Sequence, residues 1–294
     1  MIQIIIPINQ NSINLEKIYT IKNYPILIID NKSNFNIEKK DNITIIKTDK
    51  ILSPGQLYNL GIENSTEDIL TFLHPEDIDN YTNNLEQIQR LFVENLNLKM
   101  VQDGYDNPLN NYTLAGKYFD KTLLSLYGIK FNEEVDSNIC EFNFIYKLRG
   151  IAEAFSPEEG FVCLDKYLPY SSIHIEDTKF SDFLILAQDT INFLESLYLE
   201  RKLIFHIATE FLIIAYFIFI NCANQEIEIT ENDFNYLREY FEKVYLNFKD
   251  MFDPSFTVFM YNTLFTNIFE TENFLYKALT KFNKLTFIEL LELL

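Results

Sequence analysis

The stretch that most limits what this chain can become is S-P-G-Q-L-Y-N-L-G-I-E-N-S-T-E-D-I-L-T-F-L-H-P-E-D-I-D, from Ser53 to Asp79. Pro54 and Gly55 open a turn. Leu57, Leu60 and Ile62 then give a brief helical face. Ile69 to Leu73 is a short apolar run suited to a strand covered on both faces. His74, Glu76 and Asp77 follow at once, spaced by Pro75. In open α/β sheets, ligands bind beyond the carboxyl ends of the strands. An imidazole and two carboxylates delivered to that edge suit a metal or a phosphate. The competing reading of the same residues is a solvated acidic turn.

The preceding chain fits the same architecture. Gln3 to Pro7, Ile26 to Ile29 and Ile43 to Ile46 read as strands, the second closed by Asp30-Asn31-Lys32-Ser33. Leu15 to Ile21 and Asn84 to Asn95 read as helices, and Lys99 to Gln102 as a fifth strand. This alternation predicts an α/β fold with a mostly parallel, Rossmann-like sheet flanked by helices. Further on, Lys121 to Tyr127 and Glu141 to Leu148 read as helices, and Phe161 to Leu164 as a strand. From about Thr178 the glycines disappear and apolar residues recur at helical spacing. Candidate helices are Phe180 to Tyr198, Arg201 to Cys222, Glu231 to Phe252, Ser255 to Phe269 and Glu272 to Leu294. The expected division is therefore 1–175 as the α/β domain and 176–294 as an all-helical C-terminal domain.

Charge narrows the partners. The formal net charge of −19 repels phosphate backbones, and no basic stripe offsets it, which argues against a duplex nucleic acid partner. The three cysteines, Cys140, Cys163 and Cys222, are far apart and show no metal spacing, as expected of free thiols in a reducing compartment. The first residues lack the basic and small-residue flanks of a secretory signal. The apolar run from Phe211 to Ile220 falls short of the ~20 residues a transmembrane helix needs. A cytoplasmic protein with no transmembrane segment is expected. The Phe- and Tyr-rich faces of the helical half are read as core, with docking of a partner or a second copy as the other use of such faces.

Three segments line up in order: Ile4-Ile5-Ile6-Pro7-Ile8-Asn9, then Leu27-Ile28-Ile29-Asp30-Asn31-Lys32-Ser33, then Asn59-Leu60-Gly61-Ile62 leading into Phe72-Leu73-His74-Pro75-Glu76-Asp77. The set resembles the family 2 glycosyltransferases, nucleotide-sugar enzymes with the GT-A fold. It is clear over residues 3 to 80 and looser to about Ile173.

The resemblance implies a role for each matching position. Pro7, Ile8 and Asn9 would line the nucleotide base, and Asp30, with Asn31 beside it, would hold uracil or ribose through its carboxylate. Tyr58 and His74 would also face the nucleotide. Glu76 and Asp77 would bind Mn²⁺ or Mg²⁺ against the diphosphate. Glu141 would be the general base that accepts the acceptor hydroxyl's proton, with Asp177, of the Glu176-Asp177 pair, as the alternative. The implied activity is inverting transfer of a sugar from a UDP-sugar to a glycan, protein or small-molecule hydroxyl. Three positions depart from the family pattern. Tyr58 stands where an Arg is usual, His74 replaces the first Asp of the metal motif, and Cys140 replaces the Glu before the base. These departures open the alternative of a catalytically inactive GT-A scaffold that serves structure or protein interaction.

Overall fold

A chain that begins Ile2-Gln3-Ile4-Ile5-Ile6 has to bury both faces of its first strand, and it does. In the computed structural model β1 (Ile2–Ile8) is buried along its whole length. Even its Gln3 is used, with Oε1 accepting from the backbone N–H groups of Thr66 (2.7 Å) and Glu67 (3.3 Å). The structure describes residues 1–8, 15–33, 35, 37–38, 40–105, 114–135, 139–155, 159–167, 180–205, 207–208, 211, 215 and 230–251.

Two compact units divide the chain. One comprises Met1–Asp177 with Ser196–Leu199, the other Thr178–Glu195 with Glu200–Leu294. In the first, seven strands form one sheet: β1, β2 (Ile26–Asp30), β3 (Ile43–Lys47), β4 (Ile69–Phe72), β5 (Met100–Tyr105), β6 (Lys117–Asp120) and β7 (Phe161–Tyr167), in the order β3-β2-β1-β4-β6-β5-β7. All pairings are parallel except those of β6 with β4 and with β5. The sequence reading left β6 out. Its four residues, Lys-Tyr-Phe-Asp, carry a charge at each end and show no apolar run, yet Lys117, Tyr118 and Phe119 are all buried because neighbours close both sides.

Strand alternation sends successive side chains to opposite faces. On one face, Ile2, Ile4, Ile6 and Ile8 pack with Ile26, Ile28, Tyr118 and Val101 against α1 (Leu15–Ile18), α3 (Ile78–Tyr81) and α4 (Leu85–Glu94). On the other, α2 (Pro54–Glu63) lies so close that a Cβ added to Gly61 would come within 2.7 Å of Ile5. This face carries the aromatic residues in which the composition is rich. Phe131 stacks on Phe144 with centroids 3.8 Å apart, and Phe72 meets Tyr58 and Phe131 edge-on at 5.3 and 5.6 Å. Phe144 comes from α6 (Cys140–Phe155), which runs well past the Leu148 end read from sequence.

Local chemistry fixes the helix starts. Ser53 and Gln56 close a reciprocal capping box at the head of α2, with Pro54 in the first turn. Asp120 caps α5 (Lys121–Tyr127), accepting from the Thr122 N–H at 2.8 Å, and it also pairs with Lys99 at 2.9 Å. Burial pushes the Asp120 carboxyl up, but the hydrogen bonds from Thr122 and Lys99 outweigh it and hold the pKa below the ordinary value. A depressed carboxylate contributes its stability above the unfolded-state pKa and loses it as pH falls through the folded value. Asp120→Ala is therefore expected to cost about 1 kcal/mol at neutral pH. Thermal denaturation followed by circular dichroism should show that gap closing as the buffer drops below about pH 4.

In the second unit, α7 (Phe180–Ser196) and α8 (Glu231–Phe248) match the helices read from sequence to within a few residues. Arg201 makes a two-armed ion pair with Asp250 at 2.6 and 2.7 Å. The stretches 216–229 and 252–294, including Cys222 and the last two expected helices, lie outside the described residues. No described helix is long and apolar enough to cross a membrane.

Candidate active site

β1 lies between β2 and β4, so the strand order turns around at the β1–β4 boundary. That boundary is the crevice where open α/β sheets bind ligands, beyond the carboxyl ends. Pro7 shapes it. The alternate residues Ile4 and Ile8 bond toward the β2 side, through Ile4 N–H to Pro25 O and Asn31 N–H to Ile8 O. Ile5 accepts from the Leu73 N–H on the β4 side. Pro7, two residues on, faces the same side as Ile5 and has no N–H to offer. The β1–β4 ladder ends there.

Two groups flank this boundary, one at the end of β2 and one at the end of β4. On the β2 side, Asp30 pairs in register with Ile8 and is 1% exposed. Its Oδ1 accepts from Ser33 N–H at 2.8 Å. Its Oδ2 takes no hydrogen bond among the described residues, and the nearest cation, Lys47 Nζ, is 3.7 Å away. A buried carboxylate oxygen without a donor is costly, so a ligand N–H or O–H would be welcome there. Asn31 beside it is committed to the fold. Its amide donates to Leu52 O (3.1 Å) and accepts from Leu52 N–H (2.8 Å). Lys32 closes the turn with φ 57°, a left-handed conformation that a non-glycine residue adopts at a cost.

On the β4 side, three expected site residues come together from three separate segments. Tyr58, 2% exposed on α2, donates its hydroxyl to Glu141 Oε1 at 2.5 Å. Glu141, 3% exposed in the first turn of α6, accepts at Oε2 from the Leu114 backbone N–H at 2.8 Å. His74 follows β4, and its Nε2 lies 3.5 Å from both Glu141 Oε1 and the Tyr58 hydroxyl. The His74 side chain is 27% exposed and is the member of the cluster that reaches solvent. Cys140, next to Glu141, is deeply buried. Burial first, and the neighbouring carboxylate second, push its thiol well above the ordinary range, so it stays a protonated core residue. Cys163 is also a free thiol.

Glu76 and Asp77 sit on the 3₁₀ turn Pro75–Asp77 directly after His74, and the Asp77 N–H bonds back to His74 O at 2.9 Å. Carboxylates on one short turn suit a hard divalent ion. The Glu76 side chain lies outside what is described, and among the described residues no group of three His, Cys, Asp or Glu side chains gathers around a point that could hold one. An ion held by this turn would take its remaining ligands from water and a diphosphate, which is the habit of Mg²⁺. Asn9 and Asp177 lie outside the described residues.

Two features at this edge of the sheet are not legible in the sequence. The Leu114 N–H is a backbone donor and leaves no mark in the sequence. Lys117, 1% exposed at the first position of β6, lies at the same edge of the sheet because β6 runs antiparallel to β4. A lysine in so short a strand gave no cue to its burial.

No known sequence family and no curated protein matches the chain. Solved structures do. S. aureus TarS 1–349 superposes with a TM-score of 0.57 at 17% identity, over 81% of this chain and 80% of that one. The same protein in complex with UDP-GlcNAc gives 0.58 at 17% identity, over 83% and 81%. Its complex with UDP gives 0.52 at 16%, over 72% and 70%. At such identities the likeness is one of fold, and with the strand order and the helices on both faces it establishes that this chain is built on the GT-A glycosyltransferase fold.

Proposed function

We propose that the chain is a divergent family 2 glycosyltransferase that moves a sugar from a nucleotide-sugar, with UDP as the nucleotide, to an acceptor hydroxyl. One observation carries this reading. Tyr58, His74 and Glu141 converge at the carboxyl end of β4, beside the crevice where the strand order turns, on a fold shared with a protein crystallised with UDP-GlcNAc. Asp30 would receive the imide N–H of uracil or a ribose hydroxyl on its unbonded oxygen. Glu141 would accept the proton of the acceptor hydroxyl as its oxygen bonds to the anomeric carbon and the bond to the diphosphate breaks, with inversion. Glu76 and Asp77 would hold Mn²⁺ or Mg²⁺, which when bound neutralises charge on the leaving diphosphate. The acceptor class is open between glycan, protein and small molecule. The free thiols of Cys140 and Cys163 favour a reducing, cytoplasmic setting.

Titration calorimetry with UDP, with and without Mn²⁺, tests the donor assignment. Binding is expected with Kd of roughly 1 μM to 1 mM, the span typical of enzyme substrates. Asp30→Asn, which keeps the shape of the turn, is expected to weaken it by about tenfold or more, the worth of a charge-assisted hydrogen bond. The absence of any heat with the unaltered protein overturns the proposal.

A second reading rests on the state of Glu141. Both of its oxygens already accept from the protein, which suits an internal brace as well as a base. In that reading the chain is a GT-A scaffold that binds without turning over. Binding of UDP with no transfer and no hydrolysis of any UDP-sugar would favour it.

A further inference from the structure

One residue that the resemblance puts against the nucleotide is buried and bonded to Glu141. Tyr58 is 2% exposed, and its ring is enclosed by Phe72 (centroids 5.3 Å) and Phe131 (4.8 Å). Its hydroxyl meets Glu141 Oε1 at 2.5 Å. The Leu114 N–H holds the other carboxylate oxygen at 2.8 Å. A carboxylate has about four lone-pair sites. Two donors hold it, one on each oxygen, and His74 Nε2 lies 3.5 Å from Oε1. A phenol does this without placing a positive charge beside the carboxylate, as a guanidinium would.

We infer that Tyr58 is a positioning residue for the Glu141 carboxylate and not a contact of the nucleotide. The inference rests on the glycosyltransferase reading above. Tyr58 holds one rotamer of Glu141 by a short hydrogen bond inside an aromatic wall. The cation missing from this position is not replaced by Tyr58, and the donor has to be held by other groups of the cleft.

Tyr58→Phe keeps the ring packing and removes only the hydroxyl. The expected result is a split: kcat for sugar transfer falls about 10- to 100-fold, while the Kd for UDP and the KM for the UDP-sugar stay within twofold. In a double-mutant cycle the Tyr58→Phe/Glu141→Gln protein should turn over no more slowly than Glu141→Gln alone, because the hydroxyl acts only through that carboxylate. An unchanged kcat with UDP affinity weakened tenfold would make Tyr58 a nucleotide contact and overturn the inference. Additive losses in the cycle would overturn it as well. Should Tyr58→Phe lose its fold, a structure of the unaltered protein soaked with UDP decides the matter: the Tyr58 hydroxyl is expected to stay on Glu141 Oε1, and a hydrogen bond from that hydroxyl to the nucleotide would overturn the inference. Failure of the unaltered protein to bind UDP or transfer sugar is a separate outcome, and it removes the glycosyltransferase reading together with this role.

Discussion

Gly55→Ala is expected to destabilise the first unit by about 3 kcal/mol, the upper part of the range for overpacking a tight contact. The methyl group would land 1.9 Å from the carbonyl oxygen of Asn132 and 2.8 Å from its carbonyl carbon. Both are backbone atoms, so no side chain can rotate away. The backbone they belong to cannot shift freely either. Asn59 clamps it from one turn further along α2, donating to Phe131 O at 3.1 Å and accepting from Phe131 N–H at 3.0 Å. Two other glycines calibrate the effect. At Gly61 the nearest atom is the Ile5 side-chain methyl at 2.7 Å, which can yield in part, so Gly61→Ala should cost less. At Gly128 nothing lies within 4 Å, and the cost of alanine is the strain of φ +66°, about 1 kcal/mol. Thermal melts of the three variants should rank Gly55 first, with its midpoint roughly 6–12 °C below the parent. A Gly55→Ala protein that melts with the parent would mean that the junction of α2 and the 131–133 segment is looser than described.

Glu141→Gln is expected to lower kcat for sugar transfer by a factor of about 10² to 10⁴, the usual worth of a general base. The amide is nearly isosteric, and one of its oxygen lone pairs can still serve a donor. It cannot accept from both the Tyr58 hydroxyl and the Leu114 N–H, because one end is now an NH₂ group. A donor is then left facing a donor in a buried site, at a stability cost of about 1–3 kcal/mol. The measurement therefore pairs initial rates with a melt and with UDP calorimetry. Lost turnover with retained UDP binding is the expected pattern. Retained turnover would remove Glu141 from the chemistry and leave it as a structural brace.

Much of the candidate site is legible because its parts sit at strand ends, and short apolar runs such as Ile26-Leu27-Ile28-Ile29 and Ile69-Leu70-Thr71-Phe72-Leu73 announce their own ends. Asp30, His74, Glu76 and Asp77 stand out as candidates that way, each at or within four residues of the end of a run that burial demands. Glu141 was found by resemblance alone, since its neighbours Cys140 and Phe142 give no polar cue. The roles were harder to read. That Tyr58 reaches Glu141 across 83 positions of sequence is a product of how α2 and α6 stack on one face, and no local pattern encodes that pairing. β6 escaped for a related reason. A strand with a buried lysine and a terminal aspartate is stabilised by its neighbours rather than by its own propensity. The limits of α6 were misjudged because a helix buried nearly all round has no polar stripe to mark its period.

The proline at position 7 has one more effect. Two parallel strands that lose their partner at the tip tend to fray and re-pair, and a groove between them would then open and shut with temperature. A ring in place of an amide hydrogen removes the option of shutting. The end of the β1–β4 ladder at Pro7 is thus written into covalent structure, whatever binds at that edge of the sheet.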